Sequence, residues 1–238
     1  MLGKELHTYE TTKFGKIKNL IGTFFPILIF GGLAILVSHY IMSSIFVVIG
    51  VVLSIRLYEH SYKAVIHEYG IFIKKGKKEY EVQFNEIYYI IDAVMKSNFI
   101  CKTRIVGICT ADYGMISINQ GRLGKFNDFA NQLNSLYTKY FLKDITPENI
   151  CSKNLNFGNY LRLENGNFIL KGTIGKSGII PAERIIAHSP GLAGLIALKG
   201  YDSNGKMKDL MLIHPKQTGN MEALYYIIDK IIPNIPKI

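Results

Sequence analysis

The residues with the clearest chemical potential form a basic turn, Lys74-Lys75-Gly76-Lys77-Lys78. Lysines grouped around a glycine place several ammonium groups at the tip of a hairpin, where they attract anionic groups. Each lysine close to an anionic lipid surface contributes about 1 kcal/mol. A solvated hairpin tip is the alternative, since exposed turns favour glycine and polar residues. The sequence predicts Lys74, Lys75, Lys77 and Lys78 as a site for lipid headgroups or a protein partner.

Motifs for catalysis or cofactor binding are weak or absent in the sequence. Gly-Lys-Ser at 175–177 resembles the end of a phosphate-binding loop, but the preceding glycine is too close and no helix is predicted to follow. The six histidines are scattered, without the spacing of metal ligands. No nucleophile elbow is present, and no pair of carboxylates stands out in an apolar setting. The sequence therefore predicts a protein that is not an enzyme and has no cofactor or metal.

Charge and cysteine usage narrow the class of partner. The chain has 238 residues and a formal net charge of +10, which favours contact with something anionic or a solvated basic surface. Basic and aromatic residues are not interleaved, so nucleic-acid binding is not expected. Cys101, Cys109 and Cys151 show no CxxC spacing, which indicates reduced thiols instead of a disulfide framework or a zinc site.

The element expected to position the basic turn is an apolar stretch over residues 20–57, which contains no Asp, Glu or Lys. A helix needs about 20 apolar residues to cross a bilayer, and this stretch is roughly twice that length. Polar residues at 38–44 mark a turn within it. The sequence predicts a transmembrane helical hairpin, with helices over residues 20–37 and 41–57.

Basic residues flank the predicted hairpin on both sides. Lys16 and Lys18 precede it, Arg56 and Lys63 lie at its end, and the turn carries neither Lys nor Arg. The positive-inside rule then places both termini in the cytoplasm, including a short N-terminus over residues 1–19. The prediction is a multi-pass protein of a bacterial cell membrane, with the lipid bilayer as its integral partner.

The rest of the chain has short alternating segments separated by turn residues, which is typical of antiparallel sheets. A helical pattern over 126–140 closes the first series of strands. After a linker at 142–155 the layout is repeated, and a second helical pattern over 221–232 closes it. The predicted fold class is α+β with membrane helices, and the predicted domains span residues 61–141 and 156–233.

Matching segments indicate a weak internal duplication. Residues 83–87 (QFNEI) correspond to residues 181–185 (PAERI), and residues 72–76 correspond to residues 168–172. Turns with Asp and Gly lie at equivalent places in both series. Together these patterns predict two related modules, the second shorter than the first.

The chain resembles an uncharacterised bacterial family of two-helix membrane proteins with tandem pleckstrin-homology-like domains. The motifs behind this resemblance are Tyr69-Gly70-Ile71 before the basic turn, Phe84-Asn85-Glu86-Ile87, Ala111-Asp112-Tyr113-Gly114, Phe157-Gly158 and Ile180-Pro181-Ala182-Glu183. The resemblance implies two pleckstrin-homology-like units, each closed by a helix, and it brings no catalytic motif. In that family an aromatic residue usually precedes the acidic one where this chain has Ala182.

These observations predict a membrane-anchored cytoplasmic scaffolding protein. Its modules would contact a protein partner, another copy of the chain or anionic lipid headgroups, and exposed strand edges offer one route. The alternative is an accessory subunit of a membrane transport or envelope-stress complex. The two hypotheses differ in outcome, because a lipid reader binds vesicles alone and an accessory subunit co-purifies with a larger complex.

Overall fold

The computed structural model describes residues 1–12, 25, 29, 31–32, 40–59, 62–97, 101–171, 178–191, 195–202 and 204–235. The chain divides into two compact units, the first with Met1–Gln83 and Asn119–Asn127, the second with Phe84–Ile118 and Asp128–Ile238. The described residues are mostly β-strand, arranged in four small antiparallel sheets. The domain bounds 61–141 and 156–233 stay a prediction.

The first unit contains a four-stranded antiparallel sheet in the order β1-β2-β3-β4. The strands are β1 (Glu5–Glu10), β2 (Tyr62–His67), β3 (Gly70–Lys75) and β4 (Lys78–Gln83). The side chains of one face alternate along the strands and are buried, as the two-residue period of a strand requires: Ala64, Ile66, Ile71, Ile73 and Val82.

Strand β1 was not predicted, because Glu5–Glu10 has no alternation of apolar residues. It forms through pairing with β2, up to the partners Glu10 and Lys63. Just beyond, the Thr11 N–H donates to the Tyr62 carbonyl at 2.9 Å, and the Tyr62 N–H donates to Thr11 Oγ1 at 2.8 Å. The stretch at 20–57 is therefore an insertion between β1 and β2. The end of β1 and the start of β2 are neighbours in the sheet.

The prediction of a transmembrane hairpin is wrong. Most of its first helix, residues 20–37, lies outside the described residues; the second half of the stretch forms α1 (Tyr40–Glu59). Within the described part of the chain, no helix is both long enough and apolar enough to cross a membrane. The helix α1 has 20 residues, with serines near its start and Arg56 and Glu59 in its last turn.

This correction extends to the predictions of localisation that depended on the hairpin. The multi-pass membrane localisation, the cytoplasmic placement of both termini and the integral contact with the bilayer lose their support. Many of the described side chains of α1 are nevertheless apolar and well exposed, among them Ile41, Ile45, Val48 and Val52. Exposed apolar surface is unfavourable in water, so α1 gains from any apolar contact.

The second unit begins with a three-stranded antiparallel sheet in the order β5-β6-β7. Its strands are β5 (Ile87–Ser97), β6 (Cys101–Thr110) and β7 (Gly114–Asn119), and the helix α2 (Phe126–Leu142) follows them in the chain. The side chains of Phe129, Leu133 and Tyr137 are buried, at the spacing that one face of a helix requires.

Two further sheets and a closing helix complete the second unit. One sheet has the order β11-β10-β9-β8, formed by β8 (Leu155–Asn156), β9 (Leu161–Glu164), β10 (Asn167–Leu170) and β11 (Gly178–Pro181). The other contains β12 (Ala187–Pro190), β13 (Ile196–Tyr201) and β14 (Met207–Ile213). The helix α3 (Met221–Tyr226) continues as a π-helical turn, Ile227–Ile231. Both sheets and this helix contribute to one core, which includes Phe157, Phe168, Leu198, Ile213 and Ile228.

Apart from α1, which lies between β1 and β2, and a 3-10 turn at Ile150–Ser152, one order of elements occurs twice along the chain: four strands, a 3-10 turn, three strands and a helix. The turns are Phe84–Glu86 and Ala182–Arg184, which lie in the two segments that the sequence comparison matched. Their first residues, Phe84 and Ala182, are both buried. The two series therefore share an order of elements, with a smaller side chain at the corresponding buried position of the second series, and the duplication stays a prediction.

Candidate functional site

The predicted basic site forms the tip of the β3–β4 hairpin. Lys75 pairs with Lys78 across a two-residue turn, and Gly76 has the positive φ of 62° that its first position needs. Lys74 lies opposite Glu79, and their side chains form an ion pair of 2.5 Å. The hairpin thus brings the lysines together, while one of them already has an acidic partner.

A row of charged residues crosses this sheet, with two lysines in the middle and an acidic residue at each end. Glu10, Lys63, Lys74 and Glu79 are successive cross-strand neighbours, and Lys63 Nζ lies 3.3 Å from Glu10 Oε1. Within the described residues, no carboxylate pairs with the other three lysines of the turn. Lys75 Nζ lies 5.6 Å from the centre of the Tyr62 ring, a weak cation–π distance. Lipid or partner binding by Lys74, Lys75, Lys77 and Lys78 stays a prediction.

A second candidate site lies in the second unit, along the outer edge of β5. Neighbouring residue pairs of an antiparallel ladder alternate between bonded and non-bonded types. Ile90 points its N–H and C=O away from β6, since both bond to Asn220. The register from Ile90 to Ser97 is regular, so Asp92 and Val94 also point their backbone groups outward. Among the described residues, these outward groups have no backbone partner.

The side chains of Asp92 and Arg104 lie beside this edge and bond to each other. Arg104 Nε donates to Asp92 Oδ1 at 2.8 Å, and Arg104 Nη2 donates to Asp92 Oδ2 at 2.5 Å. From α2, Asn134 Nδ2 donates to Asp92 Oδ2 at 2.7 Å, and Asn131 Oδ1 accepts from Arg104 Nη2 at 3.0 Å. Both carboxylate oxygens of Asp92 therefore accept hydrogen bonds from neighbouring side chains, and the bonding to Asp92 raises the pKa of Arg104.

An open cavity of about 250 Å³ lies between the β5 edge and α2. Its lining combines the network with the start of α3: Ile90, Asp92, Arg104, Asn134, Tyr137, Thr138, Asn220, Met221 and Glu222. Partial burial, followed by the negative charge of Asp92, raises the pKa of Glu222, while Arg104 opposes this shift. With two carboxylates and one guanidinium, the cavity has a formal charge of −1.

One end of the cavity is closed by the chain itself at Asn220, which is buried and has a left-handed φ of 53°. Its N–H donates to the Ile90 carbonyl at 2.8 Å, and its Oδ1 accepts from the Ile90 N–H at 2.9 Å. Its Nδ2 donates to the Asn156 carbonyl at 3.0 Å. Asn220 therefore occupies one position of the β5 edge as a residue of an added strand would.

Neighbouring contacts hold this junction. Gly219 lies so close to β5 that a Cβ atom there would be 2.8 Å from Tyr89 Cβ and 3.0 Å from the Ile90 carbonyl oxygen. The Tyr89 hydroxyl donates to Asn159 Oδ1 at 3.1 Å, and desolvation raises the pKa of Tyr89 to about 12. The Tyr137 hydroxyl donates to the Ile87 carbonyl at 2.9 Å, and burial strongly raises its pKa.

The β5 edge and the cavity beside it are together called the groove below. Sequence reasoning missed this groove. The available signal was Asp92, a carboxylate within the otherwise apolar segment 90–94. Its partners are distant in sequence, and nothing in their local pattern marks them. Within the described residues, no group of His, Cys, Asp and Glu is arranged to hold a metal ion, and Cys109 and Cys151 are free thiols.

The described residues define a protein of small antiparallel β-sheets, and the strand β5 has an accessible outer edge. No family model and no curated protein matches the chain. Among solved structures, the chain is similar to "Structure of the Spt16D Pob3N heterodimer", at 15% sequence identity and a TM-score of 0.25. That alignment covers 60% of this chain and 78% of the other. A likeness of this degree carries no argument about function.

Proposed function

We propose that this protein is a non-enzymatic binding module that takes an extended segment of a partner protein along the edge of β5. The observation that carries the proposal is that Asp92 and Val94 both point their N–H and C=O groups outward, beside an open groove. An added strand would satisfy these groups with its own N–H and C=O. The repeated order of elements also supports the resemblance to tandem pleckstrin-homology-like proteins, which stays a proposal.

The chain's own contact at Ile90 supports this use of the edge. Asn220 bonds both backbone groups of Ile90 at ordinary distances, so the edge accepts a partner without rearrangement of β5. The next outward positions, Asp92 and Val94, continue the same line of donors and acceptors. Val94 is 49% exposed, which leaves that part of the edge open to a partner.

The test is selection of peptides from a displayed library of short random sequences on the full chain, followed by affinity measurement with fluorescently labelled synthetic peptides. The Val94→Pro variant removes one outward N–H and leaves the β5–β6 ladder intact, since Pro is tolerated where an edge N–H faces solvent. We expect this variant to lose peptide binding.

The matched control is Val94→Thr, which keeps the N–H and the β-branched shape and should bind as the parent does. Unfolding curves of both variants establish that the fold is retained. If no peptide is selected, or if the Pro and Thr variants bind selected peptides equally, strand addition at this edge is excluded.

A second candidate function is contact with an anionic surface through the β3–β4 turn. It is favoured by the three lysines without a carboxylate partner in the described residues, Lys75, Lys77 and Lys78. Replacing all four lysines of the turn by Ser should abolish co-sedimentation of the full chain with vesicles that contain phosphatidylserine. Substitution by Arg keeps the charge and should retain it. Equal sedimentation of the Ser and Arg variants would refute this function. The alternative role as a subunit of a membrane complex loses its support with the hairpin.

A further inference from the structure

The cavity lies where the side chain of one particular residue of an added strand would be, the residue that pairs with Asp92. Directly opposite residues of an antiparallel pair place their side chains on the same face of the sheet. Asp92 extends its side chain into the cavity and has its backbone groups on the open edge. The residue of an added strand that pairs with Asp92 would therefore extend its side chain into the same cavity.

The size of the cavity suits one side chain. Its volume of about 250 Å³ is below the roughly 300–1,000 Å³ that is usual for sites that enclose a whole small molecule. Its lining is predominantly polar, with the amide of Asn134 and the hydroxyl of Thr138 beside the charged groups. A long polar or charged side chain fits such surroundings better than an apolar one.

The charges of the cavity favour a cation. Arg104 and Asn134 together use both oxygens of Asp92, so the positive charge of Arg104 is already engaged. The carboxylate of Glu222 has no ion-pair partner among the described residues, and it lies close enough to Asp92 to feel its charge. A cation in the cavity would relieve this repulsion between the two carboxylates.

We propose that the groove selects extended segments with a lysine or arginine opposite Asp92, whose cationic group enters the cavity and pairs with Glu222. This inference rests on strand addition at the β5 edge. It adds the side-chain chemistry that would give the edge its specificity, since backbone bonding alone does not distinguish sequences.

The test uses the full chain and three labelled peptides of alternating Thr and Val that differ only at the central residue, which is Lys, norleucine or Glu. We expect the Lys peptide to bind most tightly and the Glu peptide least tightly. Glu222→Gln should weaken the Lys peptide by about fivefold, the upper range for an exposed ion pair, and should leave the norleucine peptide unchanged. Glu183→Gln, at an exposed acid in the 3-10 turn Ala182–Arg184, is the matched control and should change neither affinity.

The outcomes separate the two proposals. If the Lys and norleucine peptides bind equally, charge selection is refuted while strand addition stands. If the Lys peptide is preferred but Glu222→Gln has no effect, Glu222 is not the selecting group and the inference is overturned. If none of the peptides binds and library selection also fails, strand addition itself is wrong.

Discussion

Asn220 bonds to Ile90 through two hydrogen bonds, one from its N–H to the Ile90 carbonyl and one from the Ile90 N–H to its side-chain oxygen. The pair joins the strand β5 of the first repeat to the start of the closing helix of the second. Asn220 is also the last residue of the chain that covers the β5 edge, and the next outward positions, Asp92 and Val94, are open. One residue thus serves both the stability of the second unit and the position of the groove.

Replacing Asn220 by Ala should lower the stability of the second unit by about 2 kcal/mol, because the buried N–H of Ile90 and the carbonyl of Asn156 lose their side-chain partner. Asn220→Gly loses the same side-chain bonds but accepts the positive φ without strain, so it should be less harmful than Ala. Chemical unfolding, followed by circular dichroism, measures both variants. Equal stability of the parent and Asn220→Ala would contradict the role assigned to this side chain.

Gly219→Ala should destabilise the same junction by about 1–3 kcal/mol, because the added methyl group would overlap Tyr89 and approach the Ile90 carbonyl. Gly121→Ala is the control, since a Cβ atom there meets nothing within 4 Å. Thermal unfolding of the two variants makes the comparison. The explanation fails if both substitutions shift the midpoint equally.

Asp92→Asn should cost about 1–2 kcal/mol, because Arg104 keeps its charge but loses a charge-assisted bidentate partner. Arg104→Gln should also be destabilising, because Asp92 keeps its charge but loses its charged partner. The double variant should be less destabilised than the sum of the two single variants, which is the sign of a direct interaction. Additive effects in a double-mutant cycle would show that the pair contributes little.

Glu222→Gln should raise stability slightly at pH 7 and above. The pKa of Glu222 is raised in the folded chain, so folding favours its protonated form and the ionised form opposes folding. Ionisation of Glu222 therefore costs no stability well below the ordinary glutamate pKa of 4.5. The cost develops as the pH rises from there to the folded pKa, and it is complete above the folded pKa. Urea unfolding of parent and variant from pH 4 to pH 8 should show a difference that grows with pH. A constant difference would refute the assignment. The same variant should weaken the Lys peptide, so its two effects have opposite signs.

Local patterns predicted the elements that depend on local interactions. The basic turn is a hairpin tip, as Lys74-Lys75-Gly76-Lys77-Lys78 indicated, because a glycine between short alternating segments specifies a tight turn. The helical spacing of apolar residues at 126–140 likewise matches α2. In contrast, the apolar stretch at 20–57 led to a transmembrane prediction that the structure contradicts, since composition counts apolar residues and does not decide what covers them.

The sequence by itself determined where most of the strands, the basic turn and the helix α2 form, because periodicity and turn chemistry act over a few residues. Only the tertiary structure decided that Glu5–Glu10 is a strand, since its partner β2 begins after a long insertion. It also decided the groove, where Asp92, Arg104, Asn134 and Glu222 come from four separate elements. Register and packing bring such groups together, and no local pattern contains that information.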